Sequence, residues 1–207
     1  MRLHAMGLLI ISALLQACAP APQKMADSDR RSISSASIDS NITKPPAPYY
    51  LGPGGGVGLM FGALGAIASE QERADARSSL LAFVEKNGIS IERIVLEEFS
   101  AALRSSGKLM LADRPGPGAA VIRIDIRQYG LSIPNGFSSN LVPILYLLCT
   151  MHDASGRTVW SASDRLLTLG NPVPGRPGED LRNDPKAIEN AWREAAKVVS
   201  ANIVGQL

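Results

Sequence analysis

The sequence is poor in the residues that metal binding and catalysis draw on. It holds two cysteines and two histidines in 207 residues, and none of them stand at the spacing of a zinc site. There is no G-x-S-x-G nucleophile elbow, and the one Gly-rich stretch, residues 52–69, satisfies neither G-x-G-x-x-G nor the P-loop and has no lysine after it. No motif names a reaction, so the expectation is a protein without enzymatic activity, cofactor or metal. Charge of one sign is also lacking. A net +2 argues against a general nucleic-acid binder, which carries a basic patch or stripe. Long apolar runs are missing at the amino terminus, where Met6–Leu15 ("MGLLIISALL") falls short of the roughly 20 residues of a transmembrane helix. With Arg2 ahead and small residues behind, this run has the layout of a secretory signal over residues 1–17. A buried core helix is the alternative reading, disfavoured at the extreme amino terminus.

The residues at the end of this run carry a more specific pattern. The tetrad Leu15-Gln16-Ala17-Cys18 resembles the lipobox of bacterial lipoproteins, with Leu15 and Ala17 matching well and Gln16 a less usual middle residue. The resemblance implies cleavage before Cys18, a diacylglyceryl thioether on its sulfur, and fatty acyl chains such as palmitate. Each buried methylene contributes about 0.8 kcal/mol, so several chains anchor firmly. Ala19 rather than Asp comes after the cysteine, which by the sorting rule of enterobacterial lipoproteins implies the outer membrane, facing the periplasm. Lipidation of Cys18 leaves Cys149 as the remaining thiol, so no intramolecular disulfide forms. Within "LVPILYLLCTM", Cys149 reads as buried and inert rather than as a nucleophile.

Residues 18–44 are rich in Ser, Ala and Pro without sustained periodicity, and predict a lipidated, flexible tether of about 25 to 30 Å reach. Residues 45–207 then suffice for a single domain. "APYYL" predicts a short strand. In the Gly-rich segment, Gly54, Gly58 and Gly62 fall four apart, a glycine-zipper spacing that suits either an ordered loop or close approach of a second helix. A helix is predicted over 69–86, stopped by Asn87-Gly88, and another from Ser90 to Gly107 with Ile91, Val95, Phe99 and Leu103 on one face. "KLMLAD" reads as a strand. In "VIRIDIRQY" the isoleucines alternate with Arg123, Asp125 and Arg127, predicting a strand with one buried face and one wet face laced by cross-strand ion pairs. "ILYLLCTMHDASGRTVWSAS" predicts a hairpin turning at Asp153, Ser155 and Gly156. A long polar stretch over 169–183 precedes a last helix capped by Asp184 and Pro185, with Trp192 as its anchor. The sum is an α+β domain, a mostly antiparallel sheet of about four to five strands with helices on one face.

This order, with "EFSAALRSSGKLMLADR", "AAVIRIDIRQYG" and "LLCTMHDASGRTVWSAS", resembles the sheet-and-helix domain of the TolB amino-terminal, CsgG-like and LpoB-like envelope proteins. Asp153, Gly156 and Trp160 match the hairpin pattern of that group, while the Gly-rich segment and the loop 131–140 depart from it. The resemblance implies a non-enzymatic adaptor or assembly factor that binds another envelope protein. The loop "LSIPNGFSSNLVP" is the candidate contact, turning at Asn135-Gly136 and offering Phe137 either to a partner or to the sheet edge. Two alternatives stay open. One is self-assembly, as a homo-oligomer or pore-associated component, through Gly54, Gly58 and Gly62; the other is a lipid-transport auxiliary holding an apolar ligand between sheet and helices.

Overall fold

The computed structural model describes residues 22–52, 70–113, 116, 119–135 and 138–207. In chain order its elements are α1 (Asp27–Ser32), β1 (Ser35–Ile38), β2 (Tyr49–Leu51), α2 (Glu70–Lys86), α3 (Ile91–Ser106), β3 (Met110–Leu111), β4 (Ala120–Ser132), β5 (Asn140–His152), β6 (Thr158–Leu166), β7 (Arg176–Pro177), α4 (Gly178–Asn183) and α5 (Pro185–Gly205).

The helix ends follow from their capping residues. The Arg93 amide donates to Ser90 Oγ at 3.2 Å at the start of α3, and Gly107 closes that helix in the left-handed region at φ 62°. At α5 the Lys186 amide donates to Asp184 Oδ1 at 2.9 Å, with Pro185 in the first turn, where its missing N–H costs nothing.

The sheet is larger and more mixed than the alternation alone predicted. β4, β5 and β6 form the antiparallel centre. β1 joins β4 in parallel at Ala36 to Ile38, β3 joins β1 in parallel, and β2 joins β4 in parallel at Gly130 to Ser132, while β7 pairs with β5, giving seven strands. Four of these strands are only two to four residues long, too short for alternation to register. Between β1 and β2 the edge of β4 is closed by Thr43, whose carbonyl accepts from the Ile126 amide at 2.8 Å.

The flexible tether predicted over 18–44 is corrected over its described part. Residues 22–44 carry α1 and β1, and Met25, Ile33, Ala36 and Ile42 are buried in the core. Four apolar residues scattered through polar sequence were enough to hold this segment because each meets a surface built elsewhere in the chain. The stretch 169–183 likewise contains β7 and α4, pinned by buried Val173 and Leu181.

One helix-covered face of the sheet holds the core. Ile122, Ile124 and Ile126 point into it, and a bulge between Ile126 and Gln128 then shifts the inward set to Tyr129 and Leu131. From β5 come Leu145, Leu147, Cys149 and Met151, and from β6 Trp160 and Ala162. α5 packs on β5 and β6, and α3 packs on α5. Trp192 lies edge-on to Tyr129, centroids 5.5 Å apart, and its Nε1–H donates to the Gly130 carbonyl at 3.0 Å. Outside the core, Arg193 joins the two helices, its guanidinium reaching Glu97 at 2.7 Å, Glu98 at 3.0 Å and Glu189 at 3.3 Å.

Two stability measurements test this packing. Gly130 sits at φ 153°, and a Cβ there would run into the Tyr49 carbonyl of β2; Gly130→Ala therefore lowers the unfolding free energy by about 2–4 kcal/mol in denaturant titration. Ser200 is fully buried on α5 and its hydroxyl has no hydrogen-bond partner. Ser200→Ala removes that unsatisfied group and improves helix propensity, and should raise Tm by about 2–4 °C.

Candidate functional site

The sheet face turned away from α3 and α5 divides into a polar end and an apolar end. At the polar end the alternating charges of β4 are answered, but not across strands as predicted, because β5 places Thr150 and Leu148 opposite Arg123 and Asp125. The partners come instead from the same strand and from the segment after β1. Arg127 Nε meets Asp125 at 2.9 Å, Thr43 Oγ1 donates to Asp125 at 2.7 Å, and Arg123 lies 3.7 Å from Asp39. His152 spends both ring nitrogens on hydroxyls, Thr150 at 3.1 Å and Thr158 at 3.3 Å. The hairpin turn beyond it is knotted by Asp153, which accepts from Ser155 Oγ at 2.6 Å and from the Ser155 and Arg157 amides at 3.0 Å. These bonds, that of Ser155 foremost, hold the Asp153 carboxyl below its usual range.

The apolar end is a different kind of surface. A groove of 550 Å³ runs between β2, the end of β4 and the segment 167–169, floored by Ile144. The large hydrophobic residues exposed among the described residues are Tyr49 and Leu51 (37% each), Leu167 (40%), Leu169 (85%) and Met110; the first four line this groove. Single exposed apolar residues are ordinary, but four sharing one depression make a contiguous apolar surface.

Local sequence explains why these side chains face out. At the end of β6 Leu166 turns into the core, and in the segment after it Gly170 reverses the chain at φ 70° and Val173 is buried. Asn171 fastens the return, its Nδ2 donating to the Pro143 carbonyl at 2.8 Å and its Oδ1 accepting from the Val173 amide at 2.9 Å. Fixed on both sides, the segment leaves Leu167 and Leu169 facing outward. On the opposite wall, the Ile133 amide donates to the Leu51 carbonyl at 2.9 Å, which seats the start of the β4–β5 loop against β2.

The sequence-predicted contact residues fall partly here. Asn135 lines this groove and an adjoining hollow of 380 Å³. Gly136 and Phe137 lie outside the described residues, as do Cys18 and the trio Gly54, Gly58 and Gly62. Sequence reasoning missed Tyr49, Leu51, Leu167 and Leu169; the available signal was the leucine alternation in "LLTLG", which continues the β6 pattern past the last paired residue.

Cys149 is fully buried at the centre of β5, and burial pushes its thiol above the ordinary range. Among the described residues no three of His, Cys, Asp or Glu gather as a metal site, and no helix is long and apolar enough to cross a membrane. Between sheet and helices Trp160, Trp192, Tyr129 and Phe99 are buried side chains of the core.

The fold and groove define an α+β domain with an apolar surface groove. No family model matches the chain, and no curated protein matches it. Among solved structures it is similar to the PelC dodecamer from Paraburkholderia phytofirmans, at 14% identity over 91% of this chain and 95% of that one, TM-score 0.40. A protein of Xanthomonas campestris assigned to DUF330 matches at 15% identity over 83% of this chain and 93% of that one, TM-score 0.39. A minor lipoprotein from Acinetobacter baumannii matches at 16% identity over 55% and 84%, TM-score 0.31. At such identities and scores nothing about function is transferred from them.

The state of Cys149 is open to direct measurement. A water-soluble thiol reagent at pH 8 should leave it unmodified in the folded chain and modify it fully in denaturant, read by mass spectrometry.

Proposed function

We propose that the protein is a membrane-anchored envelope lipoprotein, held at the outer membrane through Cys18 and facing the periplasm, whose domain acts without catalysis as an adaptor for another envelope protein. The anchor reading is supported by the signal layout of residues 1–17 and the lipobox-like Leu15–Cys18. The adaptor reading is carried by one observation, the clustering of exposed Tyr49, Leu51, Leu167 and Leu169 around a groove beside the β4–β5 loop.

Such a surface favours a protein partner. Aromatic and leucine side chains on a fixed framework act as docking anchors, and the loop residue Asn135 at the rim supplies polar contacts that orient a guest. A chain that folds around this groove without filling it leaves apolar area exposed to water, and a partner that covers it recovers about 25 cal/mol for each Å² buried.

In-cell photo-crosslinking tests the reading, with the probe at Thr168 in a chain that retains Cys18. A distinct partner should be captured, and Leu169→Asp combined with Tyr49→Ala should weaken capture by about thirtyfold, the equivalent of about 2 kcal/mol, with thermal melting unchanged. Capture that survives both substitutions removes the groove from the interface. Products made of this chain alone transfer the reading to self-assembly.

A further inference from the structure

Gln23 is built into the sheet, and this limits how far the domain can stand from its anchor. The Gln23 amide donates to the Ser161 carbonyl at 2.9 Å, the Ser161 amide donates back at 3.0 Å, and Gln23 Nε2 reaches the Thr158 carbonyl at 3.2 Å. Met25 is buried two residues on. α1 is then clamped from two directions: Asp29 pairs with Arg157 at 2.7 and 3.2 Å, and Arg30 donates to the Leu207 carbonyl at 2.9 Å. From Cys18 to Gln23 there are five Cα steps, which span at most about 18 Å. The predicted reach of 25 to 30 Å is thus out of range for a chain anchored at Cys18.

We propose that the end of the domain formed by α1 and the β5–β6 turn lies against the phospholipid surface that holds the Cys18 lipid, with the apolar groove turned away from it. The inference rests on the anchor reading under Proposed function. Ser161 stands opposite Thr150 on β5, whereas the groove is floored by Ile144, six residues further along that strand, a separation of about 20 Å. The β4–β5 loop lies further still, at the opposite end of the strand from His152. Lys24 and Arg31 are exposed at the anchored end beside the exposed Asp27, Arg30 is held by the Leu207 carbonyl, and Asp29 and Asp153 are engaged by Arg157. Anionic headgroups suit Lys24 and Arg31. The short connection therefore sets which surface meets lipid and which meets the partner.

Depth-dependent fluorescence quenching tests this on the lipidated full chain. The protein is reconstituted in phosphatidylethanolamine and phosphatidylglycerol vesicles carrying a headgroup-level spin quencher, with one fluorophore placed through Ser28→Cys, Ala154→Cys or Ser139→Cys. All three positions are exposed, and buried Cys149 does not compete for the label. Quenching should be at least about threefold stronger at 28 and 154 than at 139. Equal quenching, or stronger quenching at 139, in protein that floats with vesicles and shows the thioether lipid by mass overturns the orientation alone. A chain that carries no lipid and does not float overturns the anchor reading and the orientation together.

Discussion

Gly130 is the point on which the architecture turns. Its backbone pairs with β2 at Tyr49 on one side and with β5 at Ile144 on the other, and its carbonyl also accepts the Trp192 indole N–H from α5. A side chain at this position would displace β2, because the Tyr49 carbonyl occupies the space a Cβ needs. The absence of one methyl group thus lets a strand, a hairpin and the closing helix meet at a single residue. Since Tyr49 and Leu51 stand on β2, the groove wall is set by the same contact.

The two ends of the sheet face turned away from α3 and α5 obey opposite rules. At the polar end the charges of β4 are matched by neighbours on the same strand or on the segment after β1, and His152 is held between two threonines. That surface is saturated and gains little from a guest. At the apolar end the loop segment is fixed by Asn171 and Val173 while its leucines face water. A rigid backbone that presents apolar side chains spends little ordering entropy on binding, which is what a docking surface requires.

Legibility in the sequence tracked the length over which a pattern repeats. The helices α3 and α5, their caps and the β5–β6 hairpin were readable because their periods run for many residues, and Trp192 was readable as an anchor because Ile188, Ala195, Val199 and Ile203 share its face. The bulge in β4 was not. Alternation through Ile126 assigns Tyr129 to the wet face, and only the register shift after Ile126 brings it against Trp192. Of the parallel strands, β2 and β3 were readable in "APYYL" and "KLMLAD", but β1 and the parallel pairing of all three were not, since so few residues carry no period and parallel partners come from distant sequence. The groove was half legible: Asn135 marked the loop, but Leu167 and Leu169 belong to a surface that exists only once β2 has been laid beside β4.

The clamp on α1 also orders events in time. Gln23 is held across 138 residues of sequence and Arg30 across 177, so neither contact exists until the hairpin and α5 are in place. Loop closure over such distances is slow, because its entropy is lost before the contact rewards it. Strand β1, wedged in parallel between β3 and β4, is under the same constraint. Residues 22–38 therefore take their native contacts only once the hairpin, α5 and β4 are in place to receive them.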